Sequence, residues 1–186
     1  IVPSFVVAIL WQFMWQSDVG IVNKVLVDYT GILGHRPIWL LGPNTMWAIV
    51  IPSVWRGLPF AMLIFLAGLQ AVPQDLLEAA QIDGCSRRAA FWRIQVPLLR
   101  PVSGFLLVWL TINALQLFDE VYATTKGGPL HSSTVIVYYL YQQAFQFFHA
   151  GYAAAIAVVL FAAIAVITVI QLRMTRGVAD DGRRSR

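Results

Sequence analysis

The chain has 186 residues, 59% of them hydrophobic and 12% charged, and its mean hydropathy is +0.70. That leaves too little polar surface to cover a water-soluble domain, so a membrane protein is expected. The net charge of +4 and pI of about 9.6 read as membrane topology, not as a nucleic-acid surface, because most of the cations fall in two blocks beside apolar stretches. Cys85 is the single cysteine, which excludes an internal disulfide or a cysteine metal cluster.

A bilayer core about 30 Å thick needs roughly 20 helical residues at about 1.5 Å each. Residues 1–15 are apolar from the start, but as helix they cover only about 22 Å and read as part of a first span. The chain begins with Ile and lacks a basic stretch followed by an apolar core and a small-residue cleavage site. A signal peptide is therefore not expected, and an N-terminal part carrying further helices is. Between residues 20 and 29, Ile21, Val25 and Tyr29 share one face with Val22 and Leu26 beside it, which predicts a short amphipathic helix at the outer interface. Gly31, Gly34, Pro37, Gly42 and Pro43 punctuate the loop that follows. The second span, 46–69, contains Pro52, Arg56 and Pro59. Hydrocarbon tolerates these only where neighbouring protein or a water-filled path satisfies the freed backbone and the charge. A guanidinium at mid-helix costs about 2.5–3.5 kcal/mol on insertion scales, so Arg56 either faces a cavity or snorkels to the outer surface.

Residues 71–100 leave the membrane as two short helices joined by a turn. Asp75 lies in the first turn after Pro73, Gly84 stops the first helix, and Ser86 caps a second that runs to about Val96, where Pro97 ends it. Leu76, Leu77, Ala79 and Ala80 do not belong on a solvated loop and call for a partner surface. The third span, 101–118, continues without a turn signal into Asp119 and Glu120, which lie near the outer mouth, and Lys126-Gly127-Gly128-Pro129 marks an outer turn. Residues 134–148 offer Tyr138, Tyr139, Tyr141, Phe145 and Phe148 as an aromatic belt at headgroup level. The last span, 150–172, is rich in alanine, which permits close helix packing, and a tail of residues 173–186 follows. Arg87, Arg88, Arg93 and Arg100, with Arg173, Arg176, Arg183, Arg184 and Arg186, place loop 71–100 and the C-terminus on the cytoplasmic side. The alternate segments hold only Lys24, Arg36 and Lys126. There is no Gly-rich phosphate loop followed by Lys-Ser/Thr and no metal-ligand spacing, and His35, His131 and His149 fall in outer loops, so no catalysis by this chain and no bound cofactor or metal is expected.

The segment Glu78-Ala79-Ala80-Gln81-Ile82-Asp83-Gly84, followed by Phe91, Ile94, Val96-Pro97 and Pro101, resembles the EAA loop of permease subunits in binding-protein-dependent ATP-driven importers. Gly20-Ile21-Val22-Asn23, Trp55-Arg56-Gly57-Leu58-Pro59-Phe60, Phe118-Asp119, Thr125 to Pro129, Tyr141, Ala144-Phe145 and Gly151-Tyr152 are similar to landmarks of the sugar-permease branch. Cys85 stands where the family usually has Ala, a small-for-small change. The resemblance implies one all-α transmembrane permease domain over 1–186, a polytopic helix bundle of the type I importer fold, truncated at its N-terminus, in a bacterial inner or plasma membrane. The implied partners are a second, homologous permease subunit as a heterodimer, two cytoplasmic ATP-binding-cassette ATPases that hold ATP and magnesium, an extracellular or periplasmic substrate-binding protein, and lipid. Glu78, Ala79, Ala80, Asp83 and Gly84 would couple to the ATPases: a short helix closed by a glycine turn is a rigid knob, its acids can pair with cations, and its small residues permit close approach.

Ser53, Gly57 and Phe60 recur at i, i+4 and i+7 on one helix face. By resemblance to maltose-type permeases these positions contact the sugar, a disaccharide or oligosaccharide, with Ser53 standing where the pattern has an amide. Asn113 and Gln116, with Leu117 beside them, are the polar groups of the third span; they line the path or hydrogen-bond to the second permease. Other transport readings are an importer of a glycerol phosphate, which Arg56 favours, or of a polyamine, which Asp119-Glu120 favours. A secondary transporter is expected to carry inverted repeats, which this stretch does not display, and a purely structural anchor leaves the docking loop without a reason.

Overall fold

The computed structural model describes residues 2–184, with side chains described except at Pro43 and 176–184. Of the arginines assigned to the tail, the side chains of Arg176, Arg183 and Arg184, and Arg186 altogether, lie outside the described residues. Among the described residues the chain is helical with no strand. α1 is Ser4–Met14; α2, Ile21–Asn23, runs on as a π-helical stretch over Lys24–Tyr29; and after a 3-10 turn at Gly42–Asn44 comes α3, Thr45–Gln70. α4 is Gln74–Ile82, α5 is Arg87–Ala90 continued as a π-helical stretch over Phe91–Gln95, α6 is Val96–Leu98, and α7 is Arg100–Leu115. α8, Asp119–Ala123, precedes α9, Ile136–Tyr141, with a further π-helical stretch at Gln142–Gln146, and α10 is Ala150–Arg184.

Among the described residues three stretches are long and apolar enough to cross a membrane: α3, α7 with α8 taken together as Arg100–Ala123, and Ala150–Thr175 within α10; Ser4–Met14 is apolar but shorter. Only 11%, 11% and 6% of their most apolar windows are buried within the chain. Apolar side chains such as Leu63, Val158 and Phe161 therefore point outward, a surface suited to lipid or to other helices.

The chain packs as two compact units, Ile1–Leu58 with Ala114–Phe161, and Pro59–Asn113 with Ala162–Arg186. In the first, Ile49, Val121 and Tyr138 form a buried core lined by Leu117, Phe118, Val135 and Tyr141. Pro52 has no N–H to give the Ala48 carbonyl one helical turn back. The buried indole of Trp15 donates to that carbonyl at 3.0 Å, so α1 supplies the bond that the proline removes. Asn23, almost fully buried, donates to the carbonyls of Ser17 at 3.2 Å and Pro37 at 3.1 Å and accepts from the Trp39 indole at 2.7 Å. These three bonds fold the irregular segment after α2 back on itself. Gly20 is required there, because a Cβ would lie 2.2 Å from the Gln16 carbonyl oxygen.

In the second unit, Gly68 lets Leu99 and Val102 close on the end of α3, since a Cβ there would meet their methyls at 2.8 and 2.9 Å. Gly104 likewise admits Thr175 of α10, and Gln171 Nε2 donates to Thr111 Oγ1 at 2.9 Å. Phe60 and Trp109 pack with ring centroids 5.5 Å apart.

Three boundaries differ from the sequence reading. Pro97 does not end a helix: it sits in the first turn of α6, where a missing N–H costs no intrahelical bond, and the chain continues with Leu99 N–H donating to the Gln95 carbonyl. The third span is interrupted, with α7 ending at Leu115 and Phe118 at φ −140°, ψ −55° ahead of α8. No Pro or Gly lies between residues 114 and 120, so the cause is tertiary: the carboxylates of Asp119 and Glu120 are held by partners on α1 and α3. Finally, α10 extends through the expected tail to Arg184, because no proline stops it.

Candidate functional site

α4 starts after Pro73 with Asp75 in its first turn and closes in a two-bond glycine cap. Gly84 N–H donates to the Gln81 carbonyl at 3.0 Å and Cys85 N–H to the Ala80 carbonyl at 2.8 Å, with Gly84 at φ +79°. The Ser86 hydroxyl then accepts from Ala89 N–H at 3.3 Å and caps α5. No α4 residue is buried: Glu78, Ala79, Asp83 and Gly84 are exposed, Ala80 is half-buried, and Ile82 is 87% exposed. Neither Glu78 nor Asp83 has an ion-pair partner among the described residues. The loop thus offers the exposed acids Asp75, Glu78 and Asp83 and a bare isoleucine on a short capped helix and its closing turn, a surface on which a partner could dock.

Ser53, Gly57 and Phe60 follow one another along α3, all half-buried. The Ser53 hydroxyl donates to the Ile49 carbonyl of its own helix at 2.9 Å, and Phe60 lies against Trp109 in the second unit. Arg56 falls on the same side, between Ser53 and Phe60 by helical spacing. Its guanidinium is paired within the protein: Nε donates to Glu120 Oε1 at 3.3 Å, with side-chain exposures of 28% and 3%. Glu120 is therefore a buried ion-pair partner, and Asp119 beside it accepts from the Ser4 hydroxyl of α1.

On α7, Asn113 is exposed and its amide donates to the Trp109 carbonyl of the same helix at 2.8 Å. Gln116 is exposed at the helix break, while Leu117 turns partly into the core of the first unit. Tyr138, Tyr141, Tyr122 and Phe118 form one aromatic cluster in that unit, in which Tyr138 and Tyr141 of the expected belt pack against rings from the α7–α8 region. Hydrogen bonding with Tyr122, then burial, holds the Tyr141 phenol above its ordinary pKa. Among the described residues no three His, Cys, Asp or Glu side chains gather as metal ligands. His149 Nδ1 meets Gln143 Oε1 at 3.2 Å and His131 Nδ1 meets Thr134 Oγ1 at 3.4 Å, both local contacts.

Sequence reasoning missed the roles of Glu120, Trp15 and Asn23. Arg56 and Glu120 are 64 positions apart, and nothing local to either announces the other. Pro52 was a signal for Trp15, since it asked for a donor without naming one.

Residues 1–180 match the family described as the binding-protein-dependent transport system inner membrane component. The chain is 39% identical over 180 residues to the trehalose/maltose transport system permease protein MalF of Thermococcus litoralis, covering 94% of this chain and 58% of that one. It is 37% identical over 177 residues to the sulfoquinovosyl glycerol transport system permease protein SmoG of Agrobacterium fabrum, covering 94% and 56%. The chain thus spans little more than half the length of these relatives. Its fold is shared with a crystal structure of a bacterial ABC transporter involved in the import of the acidic polysaccharide alginate, with a TM-score of 0.81 at 24% identity over 95% of this chain and 61% of that one. With a match that takes in nearly every residue, the chain belongs to the family of inner membrane components of binding-protein-dependent transport systems.

Proposed function

We propose that this chain is a non-catalytic permease subunit of an ATP-driven importer that forms, with a second, different permease, the path for a disaccharide or oligosaccharide. Its loop 71–100 and C-terminus face the cytoplasm, two ATPases that bind ATP and magnesium dock on α4, and a substrate-binding protein delivers the sugar outside. The observation that carries this reading is α4 itself, a capped nine-residue helix with no buried residue, set in sequence between two helices of membrane-crossing length. Relatives that serve transport systems for trehalose or maltose and for sulfoquinovosyl glycerol support a glycoside as cargo.

In this account Glu78 and Asp83 pair with cations on an ATPase while Ala79, Ala80 and Gly84 let it approach. Gly68 seats Leu99 and Val102 against the end of α3, so displacement of the loop moves the feet of α3 and α7 together. Ser53, Gly57, Phe60, Asn113 and Gln116 face the sugar with hydroxyl, amide and aromatic groups, and Leu117 supports the last of them from the core side. The test is a thermal-shift screen of the cognate substrate-binding protein against disaccharides, oligosaccharides, glycerol phosphates and polyamines. Stabilisation by a saccharide alone is expected; stabilisation by a glycerol phosphate or a polyamine alone overturns the saccharide assignment.

A further inference from the structure

The break between α7 and α8 is held from both sides within the first unit. Leu117 and Phe118 pack on Ile49, Val121 and Tyr138, Asp119 accepts from Ser4 of α1, and Glu120 accepts from Arg56 of α3. The residues of the break, Gln116, Leu117 and Phe118, contain neither proline nor glycine, so these anchors and not the local sequence keep the helix open. Unwound backbone within a span persists only where protein covers it or where it lines a water-filled cavity. Leu117 and Phe118 meet the first condition, whereas Gln116 is exposed.

The ion pair is the most demanding of these anchors. Glu120 is almost fully buried and Arg56 is the only charged residue in α3. A single Nε contact holds them, and the Nη groups of Arg56 have no partner among the described residues. An ion in a span is costly and is kept where it serves a function.

We propose that Arg56 and Glu120 are positioning residues: their pairing keeps the α7–α8 break open and thereby aims the Gln116 side chain into the transport path, setting substrate affinity without touching substrate. The inference rests on the path assignment of Gln116 made above, and two separate readouts divide the fates of the two ideas.

Glu120→Ala removes the acceptor and leaves Arg56 partly exposed and able to reach water, whereas Glu120→Gln retains an oxygen that can accept from Nε. The first readout is the rate at which a water-soluble maleimide labels Gln116→Cys, in a Cys85→Ala background, in the full-length permease assembled with its partners in liposomes. Glu120→Ala is expected to slow labelling about tenfold, and Glu120→Gln to restore it to within about threefold. The second readout is saccharide uptake with Gln116 intact, where Glu120→Ala is expected to raise KM about tenfold and leave the maximal rate within about twofold. Labelling that is unchanged by Glu120→Ala, or equally slow in Glu120→Gln, overturns the positioning role. Labelling that shifts while KM stays constant overturns the path assignment of Gln116 instead. Where Glu120→Ala does not assemble, Arg56→Lys, which keeps the charge but relocates the donor, carries the same two readouts with the same expected directions.

Discussion

Gly84 is the position where a one-carbon change separates docking from folding. Its φ of +79° lies in the left-handed region, and a Cβ built there meets nothing within 4 Å. Gly84→Ala therefore introduces no clash and costs only the left-handed backbone penalty, about 1–2 kcal/mol. That energy changes the ratio of closed to frayed turn about 5- to 30-fold. The loss stays local because α4 buries none of its residues, so the rest of the chain does not depend on it. Gly84→Asn is the control, since asparagine adopts the left-handed conformation more readily and keeps both cap bonds. Substrate-stimulated ATP hydrolysis by the assembled transporter in liposomes should fall at least about fivefold in Gly84→Ala and stay within about twofold of the parent in Gly84→Asn. Full stimulation in Gly84→Ala, at normal assembly, would refute the view that the capped turn transmits ATPase movement.

Trp15→Phe leaves the Ala48 carbonyl without its donor opposite Pro52, at a cost of about 1–3 kcal/mol, and should lower the thermal midpoint of the purified complex by at least about 3 °C. Asn23→Ala removes three bonds at once and should cost about 2–3 kcal/mol, read as faster proteolysis within residues 24–41; Asn23→Asp should not rescue it, because a carboxylate cannot donate to Ser17 and Pro37. Ser53→Ala loses only a bond within its own helix, so thermal stability should hold to within about 0.5 kcal/mol while the KM for substrate rises about fivefold; an unchanged KM removes Ser53 from the path.

Much of the fold is written locally. Hydrophobic runs mark α3 and α10, and Pro73, Asp75, Gly84 and Ser86 bracket the loop helices, because each of these residues acts on its own backbone. What sequence reasoning could not place are the features decided at a distance. The α7–α8 break has no breaker residue and follows from carboxylates held by Ser4 and Arg56, and Pro97 looked like a stop because the π-helical stretch before it, which reopens the helix at Val96, has no composition of its own. The residues proposed to couple to the ATPases were legible as a group because they lie on α4 and in the turn that closes it. The residues proposed for the path are spread over α3 and the end of α7, where spacing assigns a face but does not reveal that Asn113 bonds to its own helix or that Leu117 turns toward Ile49.

A transporter that contains this chain is proposed to move a saccharide inward by ATP hydrolysis on partner subunits. The most direct measurement is uptake of radiolabelled saccharide into liposomes holding the permease pair and ATPases, with the substrate-binding protein added outside and ATP sealed inside. Accumulation that requires both ATP and the binding protein, and that Gly84→Ala lowers at least about fivefold, is the predicted result. Uptake driven by an ion gradient without ATP, or uptake indifferent to the binding protein, would contradict it.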